Sequence, residues 1–203
     1  MALSTYSELK TSIAGWLNRE DANTIAKIPD FIALAEAKIS RDVRHWRQEK
    51  RVTTNLNEQY ENLPNDWLGM IQIQLTQGGK LQSISANELQ DRKQLNRVAA
   101  KPQFYRLTAN QLELYPIPDV AYEASMQYYA RVPSLSDTET FNWVLTEYPD
   151  IYLYGSLIHA APYLIDDERI NVWASLYQSA VDTLNQDDTK SRVSGPLRMG
   201  IPR

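Results

Sequence analysis

The stretch YPDIYLYGSLIHAAPYLIDD, Tyr148 to Asp167, holds the residues best suited to chemistry. His159 is one of two histidines in the 203-residue chain. Ser156 stands three residues before it, so the two share a face if the stretch is helical. A Ser–His nucleophile also needs a carboxylate to orient the imidazole and an oxyanion donor. In one common form the serine sits on a sharp strand-to-helix turn. None of these surrounds Ser156 in the sequence, so a packing or contact role for His159 is the expectation. Carboxylates are plentiful nearby: Glu147, Asp150, Asp166, Asp167 and Glu168. A glycoside hydrolase needs two of them across one cleft at a set separation. The run 166–168 is equally accounted for as a helix start, where acidic groups meet the positive end of the helix dipole. The chain has no cysteine, which excludes thiolate metal sites and disulfides. Two histidines without a zinc-binding spacing give no metal site either, and no cofactor is expected.

A second candidate is cationic. Arg41, Arg44, Arg47, Lys50 and Arg51, with His45 and Trp46 among them, could meet nucleic-acid phosphates. The formal net charge of −4 argues against DNA binding by the whole surface. Trp46 falls on an apolar stripe and is expected in the core. The arginines then read as a solvated helix end or as an ion-pairing interface between subunits. With no basic–apolar leader and no apolar run long enough for a bilayer, the expectation is a soluble protein made in a cytoplasm, without membrane contact.

The elements that must position these residues follow from periodicity. Thr5 to Glu8 fits a capping box, and Leu9, Ile13, Trp16 and Leu17 follow at helical spacing, giving a helix over about 5–18. Ile28, Ile32, Ala35, Ile39, Val43 and Trp46 form a narrow stripe on a second helix over about 29–47, with Pro29 at its first position. The middle of the chain changes period. Met70–Thr76 alternates as a strand, Gln77-Gly78-Gly79 turns, and Lys80–Ile84 returns. Ser85–Glu88 opens a short polar helix to about Arg97. Gln103–Pro118 reads as a hairpin turning at Ala109-Asn110, with Leu112 and Leu114 on one face. Glu123–Val132 places Ala124, Met126 and Tyr128 on one side of another strand.

Helical spacing returns with Phe141–Tyr148, one turn or two. Two helices follow, over about 149–165 and 167–186, joined tightly at Asp166-Asp167 as an antiparallel hairpin. In the first, Pro149 fits the opening position, Gly155 and Ala160-Ala161 admit a close neighbour, and Pro162 is expected to bend the helix. In the second, Ile170, Trp173, Leu176, Tyr177, Ala180, Val181 and Leu184 form a broad apolar face. Thr189–Arg203 then loses periodicity and carries Lys190, Arg192, Arg198 and Arg203 with no acidic residue. It reads either as a frayed terminus or as an arm that orders on an acidic partner through Leu197, Met199 and Ile201. The fold class is α+β, mainly α: an antiparallel helix bundle with a small antiparallel β insertion over about 50–135, residues 1–188 forming one domain and 189–203 an extended C-terminal arm.

Taken in order, the segments WLNRED, IPDFIALAEAKISRDVR, LPNDWLGM, LTANQLELYPIPD and the long run from Met126 to Val181 resemble the head-to-tail adaptor (connector) proteins of tailed bacteriophages. The most telling pieces are Leu63-Pro64 with Asp66, Leu114-Tyr115-Pro116, Tyr128-Tyr129, and Asn142-Trp143 leading into YPDIYLYGSL. The resemblance implies a structural virion protein without catalytic residues. It would assemble in the host cytoplasm into a ring, usually of twelve copies, at the head–tail interface. The ring would sit beneath the portal protein, extend the channel for double-stranded DNA without sequence specificity, and seat the tail or the next neck protein. The arm, with Lys190, Arg192, Leu197, Arg198, Met199, Ile201 and Arg203, would dock on the portal. Lateral contacts are expected from Arg41, Arg44 and Arg47 against Asp166, Asp167 and Glu168. Some proteins with this resemblance are credited with cell-wall hydrolysis, so a muramidase-like peptidoglycan hydrolase is the second reading.

Overall fold

The computed structural model of the chain describes residues 3–96, 98–164 and 169–192. The chain divides into two compact units, 1–46 with 132–203, and 47–131. The β-rich residues, expected as an insertion over about 50–135 within one domain, fall in the unit 47–131.

The first unit is helical. Helix α1 spans Tyr6–Leu17, opened by the full Thr5–Glu8 capping box and closed by Asn18 in the left-handed conformation at φ 50°. Its buried positions are Tyr6, Leu9, Ile13 and Leu17, whereas Trp16, expected inside, is 47 % exposed and packs edge-on to Tyr154. Helix α2 spans Ala22–Asp42, about two turns ahead of the expected start. The Asp21 carboxylate caps it by accepting the Thr24 amide at 2.9 Å. Pro29 thus lies inside the helix instead of at its first position. In the opening turns only Thr24 is buried and Ile25 is exposed, so no apolar stripe marks them in the sequence. Ile28, Ile32, Ala35, Ile39 and Val43 are all buried as the stripe requires. The helix stops at Asp42, short of the expected 47, and Val43 turns extended. Trp46 falls in a separate 3-10 turn, Trp46–Gln48, and is 44 % exposed instead of in the core.

Helices α4 (Trp143–Glu147), α5 (Pro149–Leu164) and α6 (Ile170–Arg192) complete this unit. Pro149 opens α5 as expected. Gly155 is where the bundle closes most tightly: a Cβ there would stand 3.2 Å from Ala35 Cβ on α2 and 3.3 Å from Tyr177 Cε2 on α6. Trp173, Tyr177, Ala180, Val181 and Leu184 of the α6 face are buried, and Leu176 is 39 % exposed. Helix α6 continues through Thr189 and Lys190 to Arg192, past the residue at which the extended arm was expected to begin.

The second unit holds two small sheets. Strands β1 (Glu49–Leu56), β3 (Trp67–Leu75) and β7 (Tyr122–Ala130) form one, in the order β1-β7-β3, all antiparallel to their neighbours. Strands β2 (Tyr60–Asn62), β4 (Gln82–Ser83), β5 (Phe104–Thr108) and β6 (Gln111–Tyr115) form the other, in the order β2-β6-β5-β4. Helix α3, Ala86–Leu95, lies between β4 and β5 in sequence and is capped by Ser85. The β5–β6 hairpin turns at Ala109, whose φ is 51°. The return strand expected over 80–84 does not form as such. Lys80 makes a single bridge to Gln74, and β4 pairs parallel with β5 in the other sheet. Leu56, Ile73, Leu75, Leu81, Leu112, Leu114, Ala124, Met126 and Tyr128 fill the core of this unit.

Candidate functional site

Ser156 lies fully buried on α5, and neither its Oγ nor His159 Nε2 has a hydrogen-bond partner among the described residues. They therefore do not form a nucleophile–base pair. The charges that act on His159 are cations: burial first, then Lys38 and Arg41, hold its pKa below the usual histidine value. A triad would need a carboxylate in their place. The imidazole is a neutral packing group on the α5 wall.

The carboxylates singled out by sequence do not converge on a cleft among the described residues. Asp150 sits in the first turn of α5, its Oδ1 accepting the Ile151 amide at 3.1 Å. Glu147 ends α4. Asp166, Asp167 and Glu168 lie outside the described residues. The carboxylates held by several hydrogen-bond donors are others, which periodicity passed over. Glu36 on α2 accepts the Leu135 amide at 2.6 Å and the Tyr152 hydroxyl at 3.4 Å. Burial raises its pKa, partly offset by hydrogen bonds from Leu135, Ser134 and Tyr152. Asn142 completes the cluster. Its Nδ2 donates to Tyr152 Oη and to the Pro133 carbonyl, both at 2.7 Å, and its Oδ1 caps α4 through the Leu145 amide. The Tyr152 hydroxyl is pushed far above the ordinary tyrosine range by burial and then by Glu36. Each partner of Glu36 thus fixes it as an acceptor that ties 133–142 to α2 and α5.

In the second unit Glu113 is 4 % exposed in the middle of β6. Burial would raise its pKa. Hydrogen bonds from Lys93 and Tyr60, with the charge of Arg106, outweigh that and lower it. Asp66 is held likewise: burial is outweighed by Lys50 and the Tyr128 hydroxyl, which donates at 2.8 Å. The Asp66 carbonyl also receives the Arg131 amide at 2.7 Å. Tyr128 in turn is pushed up to about 12 by burial and by Asp66. An open cavity of about 240 Å³ lies beside Tyr115, lined by Gln59, Gln90, Lys93, Gln94 and Asn96. Its wall is rich in amides, and its Lys93 and Tyr115 are engaged with Glu113 and with the Arg92 and Asn96 carbonyls. Among the described residues no cluster of His, Asp or Glu could hold a metal ion, and no helix is long and apolar enough to cross a membrane.

The basic run does not form one helical face. Arg41 is exposed in the last turn of α2. Arg44 Nη1 donates to the Ser40 and Val43 carbonyls at 2.8 and 2.6 Å, closing that helix end. Arg47 is exposed in the 3-10 turn. Lys50 pairs with Asp66, and Arg51 Nε donates to Ser125 Oγ at 2.7 Å. His45 is 3 % exposed and stacked on Trp143 with ring centroids 5.1 Å apart. The backbone amide of Trp46 donates to Asp188 on α6 at 2.6 Å. A DNA-reading helix would need these groups on one continuous face, and the helix ends before most of them.

Of the arm residues, Lys190 and Arg192 are in α6, where Arg192 Nε pairs with Asp188 at 2.7 Å, one turn back. Leu197, Arg198, Met199, Ile201 and Arg203 lie outside the described residues. The residues that carried the family likeness are now legible as clamps. Asp66 holds Tyr128 and Arg131, Tyr115 donates its hydroxyl to the Arg92 and Asn96 carbonyls before a cis bond to Pro116, and Asn142 holds Tyr152.

No curated protein matches the sequence. A family model described as SU10 adaptor protein matches residues 4–200. Nearly the whole chain is covered, every distinctive residue group falls within the match, and the chain belongs to the SU10 adaptor protein family of phage head-to-tail adaptors.

Proposed function

We propose that this chain is a structural, non-enzymatic protein of the phage neck. Copies form a ring beneath the portal, usually twelve in similar proteins, which extends the DNA channel and seats the tail or the next neck protein. The observation that carries the reading is the family match over residues 4–200. The side-chain chemistry supports it: Glu36, Glu113 and Asp66 are each engaged by hydrogen-bond donors, and Ser156 and His159 are not linked to each other. Subunits meet through Arg41, Arg44 and Arg47 of one copy and Asp166, Asp167 and Glu168 of the next, a head-to-tail contact that closes a ring. The C-terminal segment 189–203, which carries Lys190, Arg192, Arg198 and Arg203 and no acidic residue, docks on the portal.

Truncation after Arg192 tests this directly, because it leaves α6 whole. The shortened protein should remain folded by circular dichroism yet fail to co-sediment with portal-bearing capsids, while the full chain binds. Equal binding by both would remove the arm from the mechanism. Absence of the full chain from purified tailed particles, or clearing of cell wall on a zymogram, would overturn the structural reading.

A further inference from the structure

The β unit has four sheet edges, and they are not treated alike. An unpaired strand edge is a template for another chain, and proteins blunt such edges by shortness, bulges, cover or charged side chains. Strand β2 has 3 residues and β4 has 2. Strand β3 is broken in register between Trp67 and Gly69 and again between Met70 and Gln72. Its far end is covered, since the Leu81 amide donates to the Ile73 carbonyl and the Leu75 amide to the Gly79 carbonyl. Of these devices strand β1 has only the charged side chains, Glu49, Lys50 and Arg51 at its start, and residues 52–56 carry none. It has 8 residues in unbroken register with β7, without proline, glycine or bulge. Its partner is β7 on one side, and no strand, loop or side chain among the described residues hydrogen-bonds the other edge of 50–56.

The strand also has a directional chemistry. Val52 and Thr54 are half-buried and Leu56 is buried, on the side that packs into the core of the unit; Arg51, Thr53 and Asn55 are exposed. Lys50 is neutralised by Asp66. Arg51 makes its one hydrogen bond to a neutral hydroxyl and forms no ion pair among the described residues. A strand laid along this edge would place a side chain beside Arg51, and a carboxylate there is the favourable cross-strand partner. The chain's own C-terminal segment, 193–203, has no acidic residue and carries two arginines, so its charge does not suit that position.

We infer that the outer edge of β1 is the seat for an extended, carboxylate-bearing segment of another protein of the virion, added as a fourth strand to the β1-β7-β3 sheet. Main-chain hydrogen bonds would supply affinity, and the pair at Arg51 would fix register. The inference rests on the proposed place of the chain in the particle.

Hydrogen exchange over residues 49–56 tests it, comparing the free full-length protein with the same protein in purified tailed particles. Successive amides of a strand point to opposite edges, so in the free protein every second amide of β1 should exchange rapidly. In particles those amides should slow at least tenfold. Arg51→Glu should lower that protection, while Thr53→Val should keep it. Equal exchange in free protein and particles overturns the inference and leaves the neck assignment standing. Absence of the protein from particles overturns both. Protection already present in the free protein also overturns it: if truncation after Arg192 removes that protection the occupant is the chain's own tail, and if dilution removes it the occupant is a second copy. Unchanged protection in Arg51→Glu overturns the carboxylate chemistry.

Discussion

Gly155 gives the sharpest test of how the helical unit is held together. A Cβ at this position would stand 3.2 Å from Ala35 Cβ and 3.3 Å from Tyr177 Cε2. Carbon pairs are most favourable at roughly 3.5–4.0 Å, so the neighbours must yield by a few tenths of an ångström. They have little room. Ala35 is on the backbone of α2, itself fully buried, and the Tyr177 ring is anchored by its hydroxyl on Asp42 at 3.0 Å. Against this, replacing a helix-interior glycine by alanine gains about 1 kcal/mol of helix propensity. Overpacking a tight core costs typically about 1–3 kcal/mol. Gly155→Ala should therefore come out neutral to about 2 kcal/mol destabilised, instead of stabilised by the full propensity gain. Gly155→Leu should be destabilised by more than about 3 kcal/mol, because several further methyl and methylene groups have no space. The decisive measurement is a double-mutant cycle with Ala35→Gly, read by urea unfolding. Removing the Ala35 methyl makes room for the new one, so the double variant should be more stable than the sum of the singles by about 1 kcal/mol. Additivity within about 0.3 kcal/mol, with Gly155→Ala stabilising, would refute close packing of α2, α5 and α6 at this point.

Three further outcomes follow from the polar groups. His159 has a depressed pKa when folded, so the unfolded chain binds the proton first; stability should fall as pH drops through the unfolded value of about 6.5, and His159→Gln should flatten that slope in pH-dependent urea unfolding. Glu36 is the opposite case: its folded pKa is raised, so the folded state holds the proton longer, and this group's contribution should decline as pH rises above about 4.5; Glu36→Gln should abolish that decline on the acid side of the same profile. Asn142→Ala removes the α4 cap, takes away the hydrogen bond that the Tyr152 hydroxyl accepts and leaves the Pro133 carbonyl without its donor, so thermal unfolding should report a loss of about 2–3 kcal/mol.

Where an element buries one apolar stripe, its sequence announces it. The α2 positions Ile28, Ile32, Ala35, Ile39 and Val43 and the α5 positions around Gly155 were legible for that reason. The start of α2 was not, because Asp21 caps a stretch whose first turns face solvent and Pro29 looked like a better beginning. Trp46 continued the arithmetic of the stripe after the helix had ended, and spacing alone cannot show where a backbone turns extended. Strand β1 was hidden for a related reason. Its inward face is Lys50, Val52, Thr54 and Leu56, with apolar character concentrated at one end, so the period-two signal is faint beside the basic residues that precede it. Clamps such as Glu36–Leu135 join residues 99 apart, and no local pattern reports a partner at that distance.

The acidic groups answer the question that the carboxylate count first raised. Three buried tyrosines, Tyr128, Tyr152 and Tyr177, each place a hydroxyl on a carboxylate: Asp66, Glu36 and Asp42. Tyrosine buries a large apolar ring but must satisfy its polar tip, and an ionised acceptor gives a stronger bond than a neutral one. The arrangement also constrains the acids. A catalytic carboxylate must be free to take or give a proton to substrate, whereas these are fixed between donors inside their own unit, where losing one partner would strand the other. Each unit therefore uses these acids, of which Asp66 and Asp42 stay partly exposed, to lock aromatic side chains in one geometry, and the proposed contacts with other proteins fall elsewhere: Arg41, Arg44 and Arg47, the basic segment after α6, and the edge of β1. For an assembly subunit that division is physically coherent. A ring repeats one set of contacts at every copy, so an error in subunit shape would accumulate around it, and a rigid interior with chemistry confined to strand edges and helix ends keeps every interface the same.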